Sequence, residues 1–434
     1  MLLIGRLRFT EIQLLVAPSA LTIVGLLTIY LASTRDLNWN WRDIWLSLAF
    51  MLVVAAMSLV FSATGFRGDQ VLFPITVVLS GLGLLLIQRL APDLKSRGGE
   101  YASLARNQLI YLTAGLALLL SMVLFVRRIH WLRRYKYTWA FCGIGLMVLT
   151  MLFGTETYGA RLWLAVGPFS VQTSEIAKIA MVVFLAGYLA ENQELIVSTY
   201  RIGPLRLPPI PYLMPMLLMW AFSMLVVVAQ NDLGTALLFF GIFLAMLYLA
   251  SGKLSYVAAG LASFALGVYV AYQLFGRVQI RVENWLNPWA DPRVSGFQQV
   301  QSEYALAAGK VFGTGLAQGH PAFIPAVHSD FVFSAVGEEL GLLGTIGVLL
   351  IFLLLVARGF YIALNARDAF GRYLAAGLTT ILALQTLIIV GGTVRLIPLT
   401  GITLPFVSAG GSSLLTNFVI IGLLLRISDP ELSG

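Results

Sequence analysis

Residues 339–357 read ELGLLGTIGVLLIFLLLVA, an apolar run whose one charged side chain is at its first position. A bilayer core of roughly 30 Å is crossed by about 20 helical residues, so this run predicts a membrane span. Similar runs recur at 12–32, 44–64, 71–90, 108–126, 137–153, 175–190, 211–229, 233–251, 255–275, 373–392 and 410–426. No alternation of the barrel type accompanies them. The sequence therefore predicts an all-α, polytopic membrane bundle of about twelve transmembrane helices.

The composition excludes several classes of protein. Of 434 residues, 59% are hydrophobic and 11% are charged, against roughly a quarter charged in ordinary globular proteins. A soluble or disordered chain is thereby excluded. The net charge of +8 points to cytoplasmic loops rather than to nucleic acid. Phosphate-binding loops and dinucleotide fingerprints are absent from the sequence, so neither a nucleotide nor an organic cofactor is expected.

Positive charge predicts the orientation. The loop after the fourth span carries five Lys and Arg residues between Arg127 and Lys136, which is typical of a cytoplasmic loop. An even number of spans then puts both termini in the cytoplasm. The excess positive charge falls on that side, whereas the outer face carries both signs in balance.

The outer face has three unusual segments. They are 154–174, 391–413 and the longest connection, 276–338, which keeps apolar patches and is expected to fold back onto the bundle. Non-helical backbone at membrane depth is tolerated against protein or a wet cavity, so one outward-facing site is predicted.

The first candidate group follows the fifth span. It contains Arg161 and, at the start of the sixth span, Glu175 and Lys178. A charged residue inside a span is a functional candidate by default. A structural interpretation is equally open, in which Trp163 is an interfacial anchor, Ser174 caps the helix, and Glu175 pairs with Lys178.

Two further carboxylates stand at the ends of spans or in the large connection. Asp232, in the sequence QNDLGTA, is more consistent with a helix cap than with a catalytic residue. Asp291 lies between Pro288 and Pro292, which stiffen its backbone. Asp-Pro is also ordinary turn chemistry, so a functional carboxylate and a plain turn both remain open there.

The large connection ends in four ionisable groups: His328, Asp330, Glu338 and Glu339. They would suit a hard divalent cation such as Mg²⁺ or Mn²⁺, or a sugar hydroxyl. The alternative is a solvated turn followed by two carboxylates that complement a helix dipole.

The last candidate segment runs from Arg395 to Ser413 and is rich in Gly, Pro, Thr and Ser. It predicts a broken, re-entrant stretch whose amides receive an anion, with Ser412 opening the last helix. Close packing of helices through small residues is the alternative.

In order and spacing these five pieces resemble the shape, elongation, division and sporulation (SEDS) family, the group of RodA and FtsW. The resemblance covers about 71–428. It implies a peptidoglycan glycosyltransferase that polymerises lipid II outside the cytoplasmic membrane beside a class B penicillin-binding protein. Five spans precede the Arg161 piece instead of three, so residues 1–66 are predicted to be a two-helix addition to a core at 67–434. The added helices and the Arg395 segment favour the RodA-like, elongation branch over division.

The resemblance also assigns roles. It makes Asp291 the essential carboxylate and marks as substrate-binding Arg161, Glu175, Lys178, Asp232, Gln301, Ser302, His328, Asp330, Glu338, Glu339, Ser408, Gly410, Gly411 and Ser412. The chain departs from the family pattern at four positions, where Thr173 and Asn231 replace prolines, Ala326 a glutamate and Ala409 a tyrosine.

Glycosyl transfer from a lipid pyrophosphate requires a base and stabilisation of the leaving group. Asp291 is the predicted base, or a ligand of a divalent metal in its place. Arg161, Lys178, Arg281 and Arg395 are candidates for the pyrophosphate. Two rival functions remain. A transporter or lipid II flippase would suit twelve spans but predicts a repeat and a central cytoplasmic loop, and a scaffold of the wall-building complex would not need Asp291.

Overall fold

The computed structural model describes residues 8–31, 44–98, 101, 103–126, 129–157, 160–167, 169–197, 200–202, 205–207 and 210–430. Arg127 and Arg128, on which the orientation prediction partly rests, lie outside these ranges.

The described part of the chain is almost entirely helical. Its α-helices are α1 (Phe9–Leu31), α2 (Ile44–Ala63), α3 (Leu72–Lys95), α4 (Leu104–Phe125), α5 (His130–Arg134), α6 (Lys136–Phe153), α7 (Thr173–Val197), α8 (Ile210–Ala229), α9 (Leu233–Ser251), α10 (Leu254–Leu274), α11 (Gly276–Leu286), α12 (Phe297–Gly309), α13 (Val332–Asn365), α14 (Ala369–Thr393) and α15 (Gly411–Ile427). Its strands are β1 (Thr155–Thr157), β2 (Ala160–Val166), β3 (Phe169–Gln172), β4 (Tyr200–Ile202) and β5 (Leu205–Leu207).

Among the described residues, eleven helices are long and apolar enough to cross a membrane. They are α1 to α4, α6 to α10, α13 and α14, and α15 is a shorter apolar helix of 17 residues. Each of the twelve predicted spans overlaps one of these twelve helices. The prediction of a polytopic helical membrane protein is confirmed.

The segment 154–174, predicted to be non-helical, is largely a three-stranded antiparallel sheet in the order β1-β2-β3. Trp163 pairs with Gln172 across β2 and β3, and Gly167 has φ 61° between the two strands. The expectation of non-helical backbone is confirmed, and strands this short show no sustained alternation that a sequence pattern would reveal.

The chain divides into two compact units. The first comprises residues 1–125, 279–358 and 385–431, and the second comprises 126–278, 359–384 and 432–434. In the second unit α7 is the central helix, and both α6 and α9 pack against it. A Cβ at Gly143 of α6 would lie 3.0 Å from the Cβ of Ala180, so the two helices approach closely there.

In the first unit α3 is central and deeply buried, with α1 and α4 packed beside it. The large connection folds back onto this unit. Leu90 and Leu94 of α3 form an apolar core with Ile324, Val327 and Phe331 of the connection. The prediction that the connection folds back is therefore confirmed.

Within the first unit, a buried arginine ties the start of α1 to the segment between α2 and α3. Arg8 lies just before α1, and its guanidinium donates to the carbonyl oxygens of Phe66 (3.2 Å), Gly68 (3.2 Å) and Asp69 (2.7 Å). It also pairs with Glu11 at 2.7 Å. Burial lowers the pKa of Arg8, and the carboxylate of Glu11 opposes that shift.

Candidate active site

Asp291 lies on an exposed turn of the large connection. Its Oδ2 accepts a hydrogen bond from the Ser295 amide at 3.1 Å, and its carbonyl accepts from Gly296 N at 3.0 Å. A Cβ at Gly296 would lie 2.1 Å from the Pro288 carbonyl oxygen, so this turn requires glycine. Asp291 forms no ion pair with any described residue. The predicted turn is present, and it displays a carboxylate that is accessible to a ligand.

A polar cavity of about 180 Å³ lies next to this turn. Its wall includes Arg281, Asn284, Trp285, Ser295, Asp330 and Arg395. Asp291 does not line it, but the amide of Ser295, which does, donates to the Asp291 carboxylate. The structure thus brings Arg281, Asp330 and Arg395, three of the predicted site residues, together beside the predicted base.

Both arginines of the cavity are held by the protein. Nη1 of Arg281 donates to the carbonyl oxygens of Leu399 (3.2 Å) and Thr400 (3.1 Å). Arg395 pairs with Glu303 at 2.9 Å. The backbone of Arg395 has φ 59°, a left-handed conformation that costs a non-glycine residue about 1 kcal/mol or more.

Asp330 is half-buried in the same wall. Burial raises the pKa of Asp330, while a hydrogen bond from Ser329 and the positive charge of Arg281 oppose the shift. His328 packs edge-on against Tyr101, with ring centroids 5.4 Å apart. Its carbonyl accepts from the Ala409 amide at 2.8 Å.

Glu338 and Glu339 hold the large connection in place. Oε1 of Glu338 accepts from His320 N at 2.6 Å. Oε1 of Glu339 accepts from Arg89 Nε at 3.0 Å, and its Oε2 accepts from Ala317 N at 3.1 Å. The two carboxylates therefore bind specific donors of the connection and of α3, rather than only complementing a helix dipole as the alternative interpretation held.

The four groups predicted as a cation site do not converge. Within the described ranges, no three His, Cys, Asp or Glu side chains lie close enough together to hold a metal ion. The two glutamates face the backbone of residues 317–320 instead.

Arg89 was missed by the sequence reasoning. Its side chain is almost fully buried in α3 and bonds Glu339, Asp93 (2.8 Å) and the carbonyl of Gly319 (2.9 Å). The signal was available, since a charge within an apolar run needs a partner.

Among the remaining predicted residues of the first unit, some form hydrogen bonds and others lie where helices pack closely. Ser302 shares a hydrogen bond of 2.7 Å with Ser334, and Ser408 donates to the Ser329 carbonyl at 2.5 Å. A Cβ at Gly411 would lie 2.6 Å from the Tyr111 ring, which supports the alternative of close helix packing there. Gln301 is half-buried in α12, Gly410 precedes α15, and Ser412 lies in its first turn. Anion binding by these amides stays a prediction.

The second unit holds the other four predicted residues. Arg161 is exposed on β2. Lys178, 1% exposed, pairs with Glu175 at 2.5 Å. Asp232 caps α9, since its Oδ1 accepts from Thr235 N at 3.0 Å. The predicted ion pair and the predicted cap are therefore both present.

Ser174 does not cap α7. The helix begins at Thr173, so Ser174 lies inside the first turn. Thr173 instead exchanges a hydrogen bond of 2.8 Å with Thr150 of α6.

Comparison with known proteins identifies the family. The model of the FtsW, RodA and SpoVE family, described as cell cycle protein, matches residues 70–432. The chain belongs to this family. It is 37% identical over 426 residues to the peptidoglycan glycosyltransferase RodA of Mycobacterium tuberculosis, covering 97% of this chain and 90% of the relative. It is 36% identical over 371 residues to the stage V sporulation protein E of Bacillus subtilis, covering 83% and 96%.

Solved structures share the fold of this chain. A chain of a peptidoglycan synthase complex that coordinates polymerization and crosslinking matches with a TM-score of 0.68 at 27% identity, covering 83% of this chain and 98% of that one. RodA of Thermus thermophilus matches with a TM-score of 0.59 at 24% identity, covering 83% and 97%. The resemblance inferred from the motifs is confirmed, whereas the division at residue 66 and the roles of single residues stay predictions.

Proposed function

We propose that this protein is a peptidoglycan glycosyltransferase that polymerises lipid II into β-1,4 glycan strands during cell-wall elongation or division. The observation that carries the proposal is an accessible carboxylate, Asp291, beside a polar cavity in a helical membrane protein of this family. Relatives over nearly the whole chain are named peptidoglycan glycosyltransferases.

The reaction is an inverting displacement with Asp291 as base. The hydroxyl oxygen of an acceptor sugar attacks the anomeric carbon of a lipid-linked donor, and Asp291 takes the hydroxyl proton. The bond from that carbon to the pyrophosphate oxygen breaks, and the pyrophosphate leaves with the electron pair. Attack from the opposite face converts the α-linked donor into a β-linked product. A positioned base contributes about 10²–10⁴-fold to the rate.

Of the four predicted ligands of the leaving pyrophosphate, Lys178, Arg281 and Arg395 are held by groups of the protein, and Arg161 is exposed on β2. We propose Arg161 as the first candidate to test. A divalent cation, Mg²⁺ or Mn²⁺, is proposed to arrive with the substrate. Such ions are usually bound through one or two carboxylates together with substrate phosphates, rather than by a cage of protein ligands. In this alternative Asp291 would be the protein ligand in place of the base, and the ion would neutralise charge on the pyrophosphate.

We propose that both termini are cytoplasmic and that Asp291 faces the outside of the cytoplasmic membrane. The balance of positive charge in the loops supports this orientation. We also propose a class B penicillin-binding protein as partner, with lipid tails and membrane lipids along the apolar helices. The match to a chain of a synthase complex supports such a partner.

The test is polymerisation of labelled lipid II by the purified full-length protein, with and without a class B penicillin-binding protein. Asp291→Asn is expected to reduce the rate by about 10²-fold or more. Glu283→Gln, which changes an exposed carboxylate of α11, is the matched control and is expected to retain the wild-type rate. A folded Asp291→Asn protein with normal activity would exclude Asp291 as the base. Movement of lipid II between leaflets without polymer would favour the flippase, and absence of both activities would favour the scaffold.

A further inference from the structure

We propose that Glu303 is a positioning residue for the proposed base. Its carboxylate holds the turn that carries Asp291 against the segment that contains Arg395, and so fixes where the Asp291 carboxylate stands. The inference rests on the proposed function, because Glu303 acts on the reaction through Asp291. Glu303 lies on α12 and is not one of the predicted site residues.

Each oxygen of the Glu303 carboxylate accepts one hydrogen bond. Oε2 accepts from Nε1 of Trp289, which lies in the same turn as Asp291, at 3.2 Å. Oε1 accepts from Nη1 of Arg395 at 2.9 Å, in a contact that is also an ion pair. The rings of Trp289 and Tyr304 add a T-shaped contact between the turn and α12, with centroids 5.5 Å apart. The two hydrogen bonds form a Glu303 bridge between segments that are distant in the sequence.

The two donors of the bridge require a carboxylate at this position. An indole and a guanidinium offer N–H donors and no acceptor. A carboxylate presents one oxygen to each of them. A glutamine side chain has one oxygen and one NH₂ group, so it would place a donor against a donor on one side. Glutamine at position 303 is therefore expected to break one of the two contacts and to keep the size of the side chain.

The bridge is part of a closed cycle of contacts. The Arg395 carbonyl accepts from Nε1 of Trp285, which lies at the end of α11, just before the Asp291 turn. The backbone of Arg395 has φ 59°, a conformation that persists in a non-glycine residue only where the surroundings impose it. Arg395 is thus held through its side chain and through its carbonyl, and each attachment leads back to the turn that carries Asp291.

The exposure of the bridge indicates that it contributes more to position than to stability. The side chains of Glu303 and Arg395 are 28% and 34% exposed, and Trp289 is 47% exposed. Ion pairs this exposed contribute little to folding stability. A reacting group needs a fixed place, because a displacement of about 1 Å can lower a rate about 10²-fold. Loss of the bridge is therefore expected to affect the reaction more than the fold.

The first test measures kcat and KM of the full-length protein with labelled lipid II. Glu303→Gln is expected to lower kcat about tenfold and to change KM less than about twofold, because the proposed base is displaced. Trp289→Phe removes the same hydrogen bond from its other end and keeps a ring against Tyr304, so a similar loss of kcat is expected. The double variant is expected to be no slower than the slower single variant, because both changes break one contact.

Three kinetic results would overturn the inference. The first is a wild-type kcat in both single variants. The second is a double variant whose loss is the product of the two single losses, which would show that Glu303 and Trp289 act separately. The third is a rise in KM without a fall in kcat, which would assign Glu303 to substrate binding.

The second test does not depend on activity. Amide hydrogen exchange of the purified protein reports on the turn, where the amides of Ser295 and Gly296 donate to Asp291. Glu303→Gln is expected to raise the exchange rate of this segment about tenfold, because the turn opens more often. Glu283→Gln changes an exposed carboxylate of α11 and is the matched control, with unchanged exchange expected.

The exchange result also separates the two proposals. Unchanged exchange in Glu303→Gln would overturn the positioning role of Glu303, whatever the activity of the protein. A wild-type protein that forms no polymer from lipid II would instead overturn the proposed function.

Discussion

Asp291 and Lys178 show two ways in which a membrane protein accommodates a charge. Asp291 stays at an exposed turn, where water solvates it. Lys178 is 1% exposed, and Glu175 compensates its charge within one turn of α7. Both were predicted as functional candidates, and their surroundings imply different responses to substitution.

Lys178→Met is expected to destabilise the protein by about 3–5 kcal/mol, because it leaves Glu175 as an uncompensated buried charge. The double variant Glu175→Gln with Lys178→Met removes both charges and is expected to recover most of that loss. Thermal unfolding of the purified variants in detergent measures both effects. Additive losses in the double variant would show that the two residues are not coupled.

Asp330→Asn is expected to alter how stability depends on pH. Burial raises the pKa of Asp330 above its ordinary value of 3.8, so the ionised carboxylate is disfavoured in the folded protein. The resulting cost is complete above the raised pKa and disappears as the pH falls below 3.8. The variant should therefore be more stable than wild type at neutral pH and equal to it in strong acid. Unfolding midpoints across this range test the sign, and a variant less stable at neutral pH would contradict it.

At the scale of elements, two departures from the family pattern have a structural reason. Asn231 has φ 59°, which proline cannot adopt because its ring holds φ near −65°. Thr173, the other residue that replaces a proline, uses its hydroxyl to bond Thr150 and so ties the start of α7 to α6. These substitutions alter local geometry and leave the carboxylates that follow them in place.

Two substitutions at Asp232 distinguish a helix-capping role from a catalytic role. Asp232→Ala is expected to lose about 1 kcal/mol of stability, because the first turn of α9 loses its acceptor. Asp232→Asn keeps an acceptor for Thr235 N and is expected to retain both stability and polymerisation. Thermal unfolding and the lipid II assay measure the two properties. A stable Asn variant without activity would place Asp232 in the chemistry.

For the whole molecule, the open question is what the first two helices contribute. Deleting residues 1–66 is expected to lower the melting temperature, since α1 packs on α3 and Arg8 bonds three backbone carbonyls. Polymerisation is expected to persist, because the cavity and Asp291 lie in the large connection and in 395–401. Arg8→Met in the full chain is the milder comparison, with an expected loss of about 3–5 kcal/mol from the unpaired Glu11. A folded but inactive truncated protein would make the two helices part of the catalytic unit.

The sequence alone determined the class of fold, the family and the residues worth testing. Apolar runs of about 20 residues leave helices as the solution in a bilayer, because backbone groups must bond within their own segment. The motif order identified the family, and the cap at Asp232 and the pair at Glu175 and Lys178 were predictable because their partners lie three residues away. Local contacts of this kind are visible in a one-dimensional pattern.

Only the tertiary structure decided which distant residues meet. Arg89 and Glu339 are 250 positions apart in the chain, and no spacing rule connects them. The same holds for the cavity, where Arg281 and Arg395 were predicted together as phosphate ligands and proved to be held by carbonyls and by Glu303. Long-range packing brings each charge to a particular partner, and that partner decides whether the charge remains available to a substrate.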